Sequence, residues 1–379
     1  MIYLDHHAAA PTPDAVRRAM DEAAATAWAN PSSTHAAGRA SRQLLETARD
    51  SVATSIGAAA ADVVLTGGGT EACNLGVRGL AEGRTRIVTS DVEHPAVAES
   101  VKRLEREGLE VTRLPALAAQ PPAPDDVARY LGPDALLAIQ WVNHETGRVF
   151  PVEGYAEVCQ KAGARLFVDG TQALGKLPID VDDLGADAVA LAAQKIGGPA
   201  GAGACWIRRG LDVGPVLDGG SQERGRRPGT PDTLSMVGFG AACALTPTRL
   251  ADQPRIGRLR DDIEGRLVEL GGALNATEPR TSTVSNLSFR RWQGPLLVAA
   301  LDLEGVCLST GAACSSGLQE PSAVIRAMYP DEQWRAGSAV RISLGIETSD
   351  EDVDLAYAAF ERVLTREGAR YPVKTSSEF

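Results

Sequence analysis

Short apolar runs recur along the first two thirds of the chain, at residues 63–66, 86–90, 110–114, 135–142, 165–169, 186–192 and 204–208. Runs of this length, rich in Val, Leu, Ile and Ala and without a helical period, predict β-strands, and most read as strands buried on both faces. Between them, residues 40–56 and 96–107 repeat their apolar positions every three or four residues, and 70–80 and 152–162 do so more weakly. That is the period of a helix with one buried side. Strands alternating with helices predict an α/β fold on a mostly parallel, seven-stranded sheet. In such sheets ligands collect at the carboxyl ends of the strands, so the residues that follow each run are read first for chemistry.

The pattern changes after Leu245-Thr246-Pro247. A helical stretch at 255–270 is followed by shorter runs at 281–289, 296–303, 306–309, 339–344 and 352–364, a mixture that predicts a smaller α+β domain. The expected organisation is an N-terminal segment, 1–14, packing with the small domain, a large domain over 15–250, and a C-terminal domain over 251–379. The tail at 371–379 is expected to fray.

The 379 residues are 44% hydrophobic and 23% charged, which describes a globular chain and excludes disorder. The formal net charge of −11 argues against nucleic acid or an anionic membrane as the main partner, because both demand clustered Lys and Arg. Neither a secretory leader pattern nor an apolar run long enough to span a bilayer occurs, and a cytoplasmic protein is expected. The six cysteines form no CxxC pair, so neither a zinc ribbon nor a disulfide framework is predicted. Lysine occurs only at positions 102, 161, 176, 195 and 374, which makes each one worth inspecting.

Several strand ends carry chemistry. Thr66-Gly67-Gly68-Gly69-Thr70-Glu71 leads from a strand into a helix, a place where backbone N–H groups and the helix dipole can cradle a phosphate; a plain glycine turn is the alternative. Asp169 follows the run at 165–168, where a carboxylate either caps the next turn or faces the ring nitrogen of a pyridine cofactor. Lys195 follows 186–192 and precedes a Gly/Pro/Ala loop, which suits a Schiff-base lysine better than a solvated charge; a lysine snorkelling at the sheet edge is the alternative. His94 sits at a further strand end, either as a structural ring or as one that stacks on a cofactor and exchanges protons. In the C-terminal part, Cys314 lies among Gly, Ala and Ser and reads as a reactive thiol, while Cys73, Cys159, Cys205, Cys243 and Cys307 read as core. Arg341 interrupts an apolar strand, where it either clamps a carboxylate or forms a structural salt bridge.

Taken in order, Tyr3-Leu4-Asp5-His6, Asn30-Pro31-Ser32-Ser33-Thr34-His35, Gly69-Thr70-Glu71, Glu93-His94-Pro95, Val142-Asn143-His144-Glu145-Thr146-Gly147, Val168-Asp169-Gly170-Thr171-Gln172, Gln222-Glu223-Arg224-Gly225 and Ala313-Cys314-Ser315-Ser316-Gly317 resemble the motifs of the cysteine desulfurases. These are pyridoxal-phosphate enzymes of the class V aminotransferase group with the fold-type-I architecture. The resemblance implies that Lys195 carries the cofactor as a Schiff base, Asp169 pairs with the ring nitrogen and Gln172 contacts the ring hydroxyl. It implies further that His94 stacks on the ring and handles protons, and that Gly69, Thr70 and Glu71 form the phosphate end. A homodimer follows from it, with Thr230 of each subunit reaching the other's phosphate. Arg341, with Asn143 nearby, would hold the carboxylate of L-cysteine. Cys314 would take the sulfur as a persulfide and pass it to a sulfur-acceptor protein serving iron–sulfur clusters, tRNA thiolation or a specialised thiolation pathway.

The chain also departs from the family pattern. Ala192-Ala193-Gln194-Lys195 stands where the family has Ser-x-His-Lys, and Asn143-His144 where it has two Asn; Ala9, Ala10, Ala200, Pro228 and Ala312 likewise replace polar residues. In one reading Gln194 and His144 supply replacement hydrogen bonds to the cofactor and desulfuration is kept. In others the chain is a selenocysteine lyase or another C–S lyase, or a catalytically weak member acting as a binding subunit. Retention of Lys195, Asp169, His94, Cys314 and Arg341 favours the first.

Overall fold

The computed structural model describes residues 1–311 and 320–366. Cys314, Ala312 and the tail at 371–379 lie outside the described residues.

The strands are β1 (Ile2–Tyr3), β2 (Val63–Thr66), β3 (Arg86–Ser90), β4 (Glu110–Leu114), β5 (Ala135–Gln140), β6 (Arg165–Asp169), β7 (Ala188–Ala192), β8 (Gly203–Ile207), β9 (Ala273–Leu274), β10 (Val284–Ser288), β11 (Val306–Cys307) and β12 (Ala339–Ser343). A seven-stranded sheet runs in the order β2-β8-β7-β6-β5-β3-β4. Only β8 opposes its neighbours; the remaining strands point one way, so β2, β3, β5, β6 and β7 deliver their carboxyl ends to one edge of the sheet. Every residue of β2, β5, β7 and β8 is buried, as the continuous apolar runs predict for strands covered on both faces. One covering helix, Gly69–Ala81, lies close on the sheet because Gly76 has no side chain: a Cβ there would meet the Phe167 ring at 2.3 Å.

The smaller sheet is antiparallel, β12-β10-β9, and the parallel pair β1-β11 lies beside it. Leu4 joins Ile256, Ile263, Leu287, Leu297, Val340 and Phe360 in the core of this second layer. Burying such side chains contributes roughly 2 kcal/mol each, which is how the first residues are tied to strands more than 300 positions away. Asp5 continues the tie as an isolated bridge to Ser343.

Some boundaries differ from the pattern reading. The strand expected over 135–142 ends at Gln140, and Val142 instead bridges Val149 across the turn that follows. The strand expected from 186 begins at Ala188, because Asp187 turns its carboxylate onto Arg165, Arg208 and the Leu166 N–H. The helix expected over 255–270 is part of Thr246–Glu269, with Pro247 in its first turn, where a missing N–H costs nothing, and Pro254 inside it. Residue 250, where the domains were expected to divide, lies inside that helix.

Candidate active site

The sheet's carboxyl edge opens into a cavity of about 320 Å³, whose lining includes Thr70, His94, Asp169, Gln172, Lys195 and Arg341. Six of the predicted site residues, from five separate elements, therefore meet in one place. Gly69, His144 and Gln194 line it too.

At one end, β2 turns through Gly67 and Gly68 into the helix Gly69–Ala81. Gly68 has φ 135° and ψ 175°, a conformation open to glycine alone. The turn leaves the helix N-terminus and Thr70 facing the cavity, where their N–H groups and dipole favour an anion. Glu71, expected in the phosphate end, does not line the cavity. Its carboxylate accepts from Gly67 N at 2.7 Å and pairs with Arg227 Nε at 2.8 Å, so it braces the turn from outside. Gln194 also faces this cavity, with its Oε1 buried and without a partner among the described residues.

In the middle, Asp169 closes β6 and is buried; one of its oxygens accepts from Thr171 N at 3.0 Å and Thr171 Oγ1 at 2.7 Å. Lys195 follows β7, and its Nζ donates to the carbonyls of His7 at 2.9 Å and Ala8 at 2.8 Å. Gln172 Nε2 donates to the same His7 carbonyl at 2.9 Å. His94 caps the helix Pro95–Arg106, its Nδ1 accepting from Ala96 N at 3.1 Å, which leaves the proton on Nε2. Burial pushes the His94 imidazolium down, Asp169 partly restoring it and Lys195 opposing it. The His144 ring stands edge-on to His94, with centroids 5.1 Å apart. Burial, then His94, Arg341 and Lys195, hold His144 well below the usual histidine range, so both rings are neutral at neutral pH.

At the far end, Arg341 on β12 donates from Nη2 to Asp5 at 2.7 Å and from Nη1 to the His144 carbonyl at 3.0 Å, while its Nε is buried without a partner among the described residues. Asn143, expected beside the substrate, is fully occupied instead. Its Nδ2 donates to Val92 O and Gln140 Oε1, and its Oδ1 accepts from Glu145 N, Thr146 N and Thr146 Oγ1. It shapes the turn that presents His144 and is not in the cavity wall. Thr230 is exposed and does not reach the cavity of its own chain.

The pattern reading passed over three contributors. His7 and Ala8 act through backbone carbonyls, which carry no side-chain signature. Cys73, read as core, is buried yet lines the cavity, its thiol pushed well above the usual range by burial and by the nearby Asp169 carboxylate. Its position one helical turn past Gly69-Thr70 was the available signal. Cys159, Cys205 and Cys243 are buried as expected, whereas Cys307 is only partly so.

An amine that can form a Schiff base, a carboxylate behind it, an anion cradle and a neutral imidazole share one cavity, and an arginine stands opposite. The family profile of the class-V aminotransferases matches residues 2–355. A curated relative, the cysteine desulfurase IscS of Dictyoglomus turgidum, is 35% identical over 96% of this chain and 95% of its own. A solved NifS-like protein superposes with a TM-score of 0.89 at 28% identity, covering 96% of this chain and 99% of that one. A structure of SspA in complex with cysteine superposes with a TM-score of 0.80 at 29% identity, over 91% of this chain and 99% of that one. With the profile spanning nearly the whole chain and relatives matching end to end, the chain belongs to the class-V aminotransferases, among the cysteine desulfurases.

Proposed function

We propose that the protein uses pyridoxal 5'-phosphate to convert L-cysteine to L-alanine, the sulfur leaving as a persulfide on Cys314 for an acceptor protein. The balance is simple: L-cysteine and the Cys314 thiol give L-alanine and the Cys314 persulfide. The observation that carries this reading is the convergence of Lys195, Asp169 and His94 on one cavity with an anion cradle at its end.

The residues fit the cofactor. Gln194 Oε1 and His144 Nδ1 are buried polar atoms without partners among the described residues, as expected of a site built around a polar group. The helix N-terminus with Thr70 would take the phosphate, Asp169 the ring nitrogen and Lys195 the aldehyde. When bound, the cofactor supplies an electron sink for bonds at the substrate's α-carbon. The protein's part is position and proton control. Asp169 places a carboxylate where the ring nitrogen must stay protonated. His94 presents an N–H from a ring fixed by its helix cap, and Lys195, held by two carbonyls, is the amine that gives and takes protons beside it. Arg341, oriented by Asp5, supplies the cation for the substrate carboxylate.

Thr230 is exposed on each chain, which suits a homodimer in which it completes the partner's phosphate site. Cysteines 73, 159, 205, 243 and 307 are free, in keeping with a reducing cytoplasm. No helix among the described residues is long and apolar enough to cross a membrane.

The test is to follow alanine and sulfide together from purified holoenzyme, cysteine and an excess of a thiol reductant that releases the persulfide sulfur as sulfide. Equal yields that vanish in Cys314→Ser, with the cofactor absorbance kept, are expected. Sulfide release by Cys314→Ser at the wild-type rate would overturn the nucleophile, and a bound cofactor with no alanine would overturn the reaction.

A further inference from the structure

Lys176 is one of only five lysines, and it is buried, 9% exposed, behind the cavity and not in it. Its surroundings are unfavourable to a cation. Lys195, Arg249 and Arg341 face it, His6 and His7 feel its charge, and the nearby acids serve others: Asp5 pairs with Arg341, and Glu347 acts on Arg249. Burial and these three cations push its amine well below the usual lysine range. No carboxylate among the described residues pairs with it. Methionine would fill the same space at less cost, so the amine has to be explained by what it bonds.

That bond is to Gln172. Lys176 Nζ donates to Gln172 Oε1 at 2.6 Å, four residues back along the turn that follows β6. The other end of the same amide donates to the His7 carbonyl at 2.9 Å, and Lys195 Nζ donates to that carbonyl too, also at 2.9 Å. A carbonyl only accepts, so the Gln172 NH2 must lie on the His7 side and its oxygen on the Lys176 side. Lys176 donates to that oxygen whether its amine is charged or neutral. Gln172 is only 2% exposed, so without Lys176 its oxygen would be buried unpaired, and the amide would lose its reason to keep one orientation.

We propose that Lys176 is a positioning residue of the active site: by donating to Gln172 Oε1 it fixes the Gln172 NH2 toward the His7 carbonyl and the cavity, and through that shared carbonyl it sets the place of Lys195 Nζ. The inference rests on the reading of the cavity as a pyridoxal-phosphate site. It makes the chain Lys176, Gln172, His7 and Lys195 a single hydrogen-bonded unit that ties the segment after β6, the N-terminal segment and the loop after β7 to each other.

The experiment is a double-mutant cycle on the holoenzyme with Lys176→Met, Gln172→Leu and the pair, Lys176→Leu serving as a second version of the first. Two quantities are read: the midpoint of the pH titration of the bound cofactor's absorbance, and kcat separately from KM for cysteine. Loss of one oriented hydrogen bond predicts about a tenfold lower kcat, an unchanged KM and a midpoint raised by about one pH unit in Lys176→Met. In the Gln172→Leu background the same substitution should change neither quantity further. Equal effects in both backgrounds, or none in either, would overturn the inference while leaving the functional reading intact. A folded wild-type protein that takes up no cofactor would overturn both.

Discussion

Lys195 Nζ is bonded to the carbonyl oxygens of His7 and Ala8, so the chemistry-bearing end of β7 is stitched to a segment that the small layer holds through Leu4 and Asp5. The two layers of the fold therefore meet at the Lys195 amine, and the position of that amine depends on residues at both ends of the chain. Asp5 has a second task in the same segment: it pairs with Arg341 at 2.7 Å.

Replacing Asp5 by Ala should remove the carboxylate that orients Arg341 and leave the guanidinium, among the described residues, with its bond to the His144 carbonyl alone. The pair is largely buried, so its loss should be felt in substrate binding by about tenfold. Steady-state kinetics should show KM for cysteine raised by that factor while the cofactor absorbance is unchanged. An unchanged KM would mean that Arg341 does not meet the substrate carboxylate.

Glu145 should make stability depend on pH. Its carboxyl is fully enclosed, accepts from Ser322 Oγ at 2.7 Å, and is pushed up to about 7, first by burial, with Ser322 and Arg341 opposing. The folded protein thus holds this proton more tightly than the unfolded chain, and the stability it contributes is present in acid and lost as pH rises through about 7. Glu145→Gln should remove the dependence, with a gain over wild type that grows to about 3 kcal/mol by about pH 8 and is small near pH 4.5. Urea unfolding at several pH values checks this, and a gain independent of pH would count against the assignment.

Glu223 anchors the loop that carries Thr230. Its carboxylate takes two bonds from Arg49, at 2.5 and 2.8 Å, and one from Leu65 N at 2.9 Å, and both side chains of the pair are 5% exposed. Glu223 and Arg224 also hold positive φ, 48° and 59°, which side-chain-bearing residues adopt only when their surroundings insist. Glu223→Ala would leave Arg49 buried with the Val63 carbonyl and, as its one charged partner among the described residues, the half-exposed Glu46, at a cost of about 3 kcal/mol. A fall of that size in unfolding free energy, with cofactor affinity weakened through the displaced loop, is the expected result; full affinity with the stability loss would separate the loop from the phosphate site.

How much of this was readable in the chain follows from physics. Central strands such as β5 and β7 announced themselves because burial on both faces demands unbroken apolar sequence. The two-residue strands β1, β9 and β11 could not, since their pairing is decided by partners far away in sequence. Lys195, Asp169 and His94 were legible because a charged or titratable residue directly after an apolar run is costly and needs a reason. The roles of Asn143 and Glu71 were not: a side chain near a site in sequence turned out to spend its hydrogen bonds on the backbone that shapes the site. The His7 carbonyl was invisible altogether, because every residue of the chain carries the same atom.

The glycine turn gives the sharpest test of the anion cradle. Gly68 sits at φ 135° with nothing within 4 Å of where its Cβ would be, so a substitution there meets no steric neighbour and acts through the backbone alone. Alanine at 68 cannot hold that conformation without strain of about 1–3 kcal/mol. Relief of the strain would rotate the peptide that leads into the helix Gly69–Ala81 and turn its first N–H groups away from the cavity. Gly68→Ala should therefore weaken pyridoxal-phosphate binding by about tenfold or more in an equilibrium titration, and inorganic phosphate should lose its ability to compete with the cofactor for the apoenzyme. If the variant bound cofactor as tightly as wild type, with its stability lowered all the same, the phosphate would have to be held by side chains, Thr70 and Gln194 first among them, and not by the helix terminus.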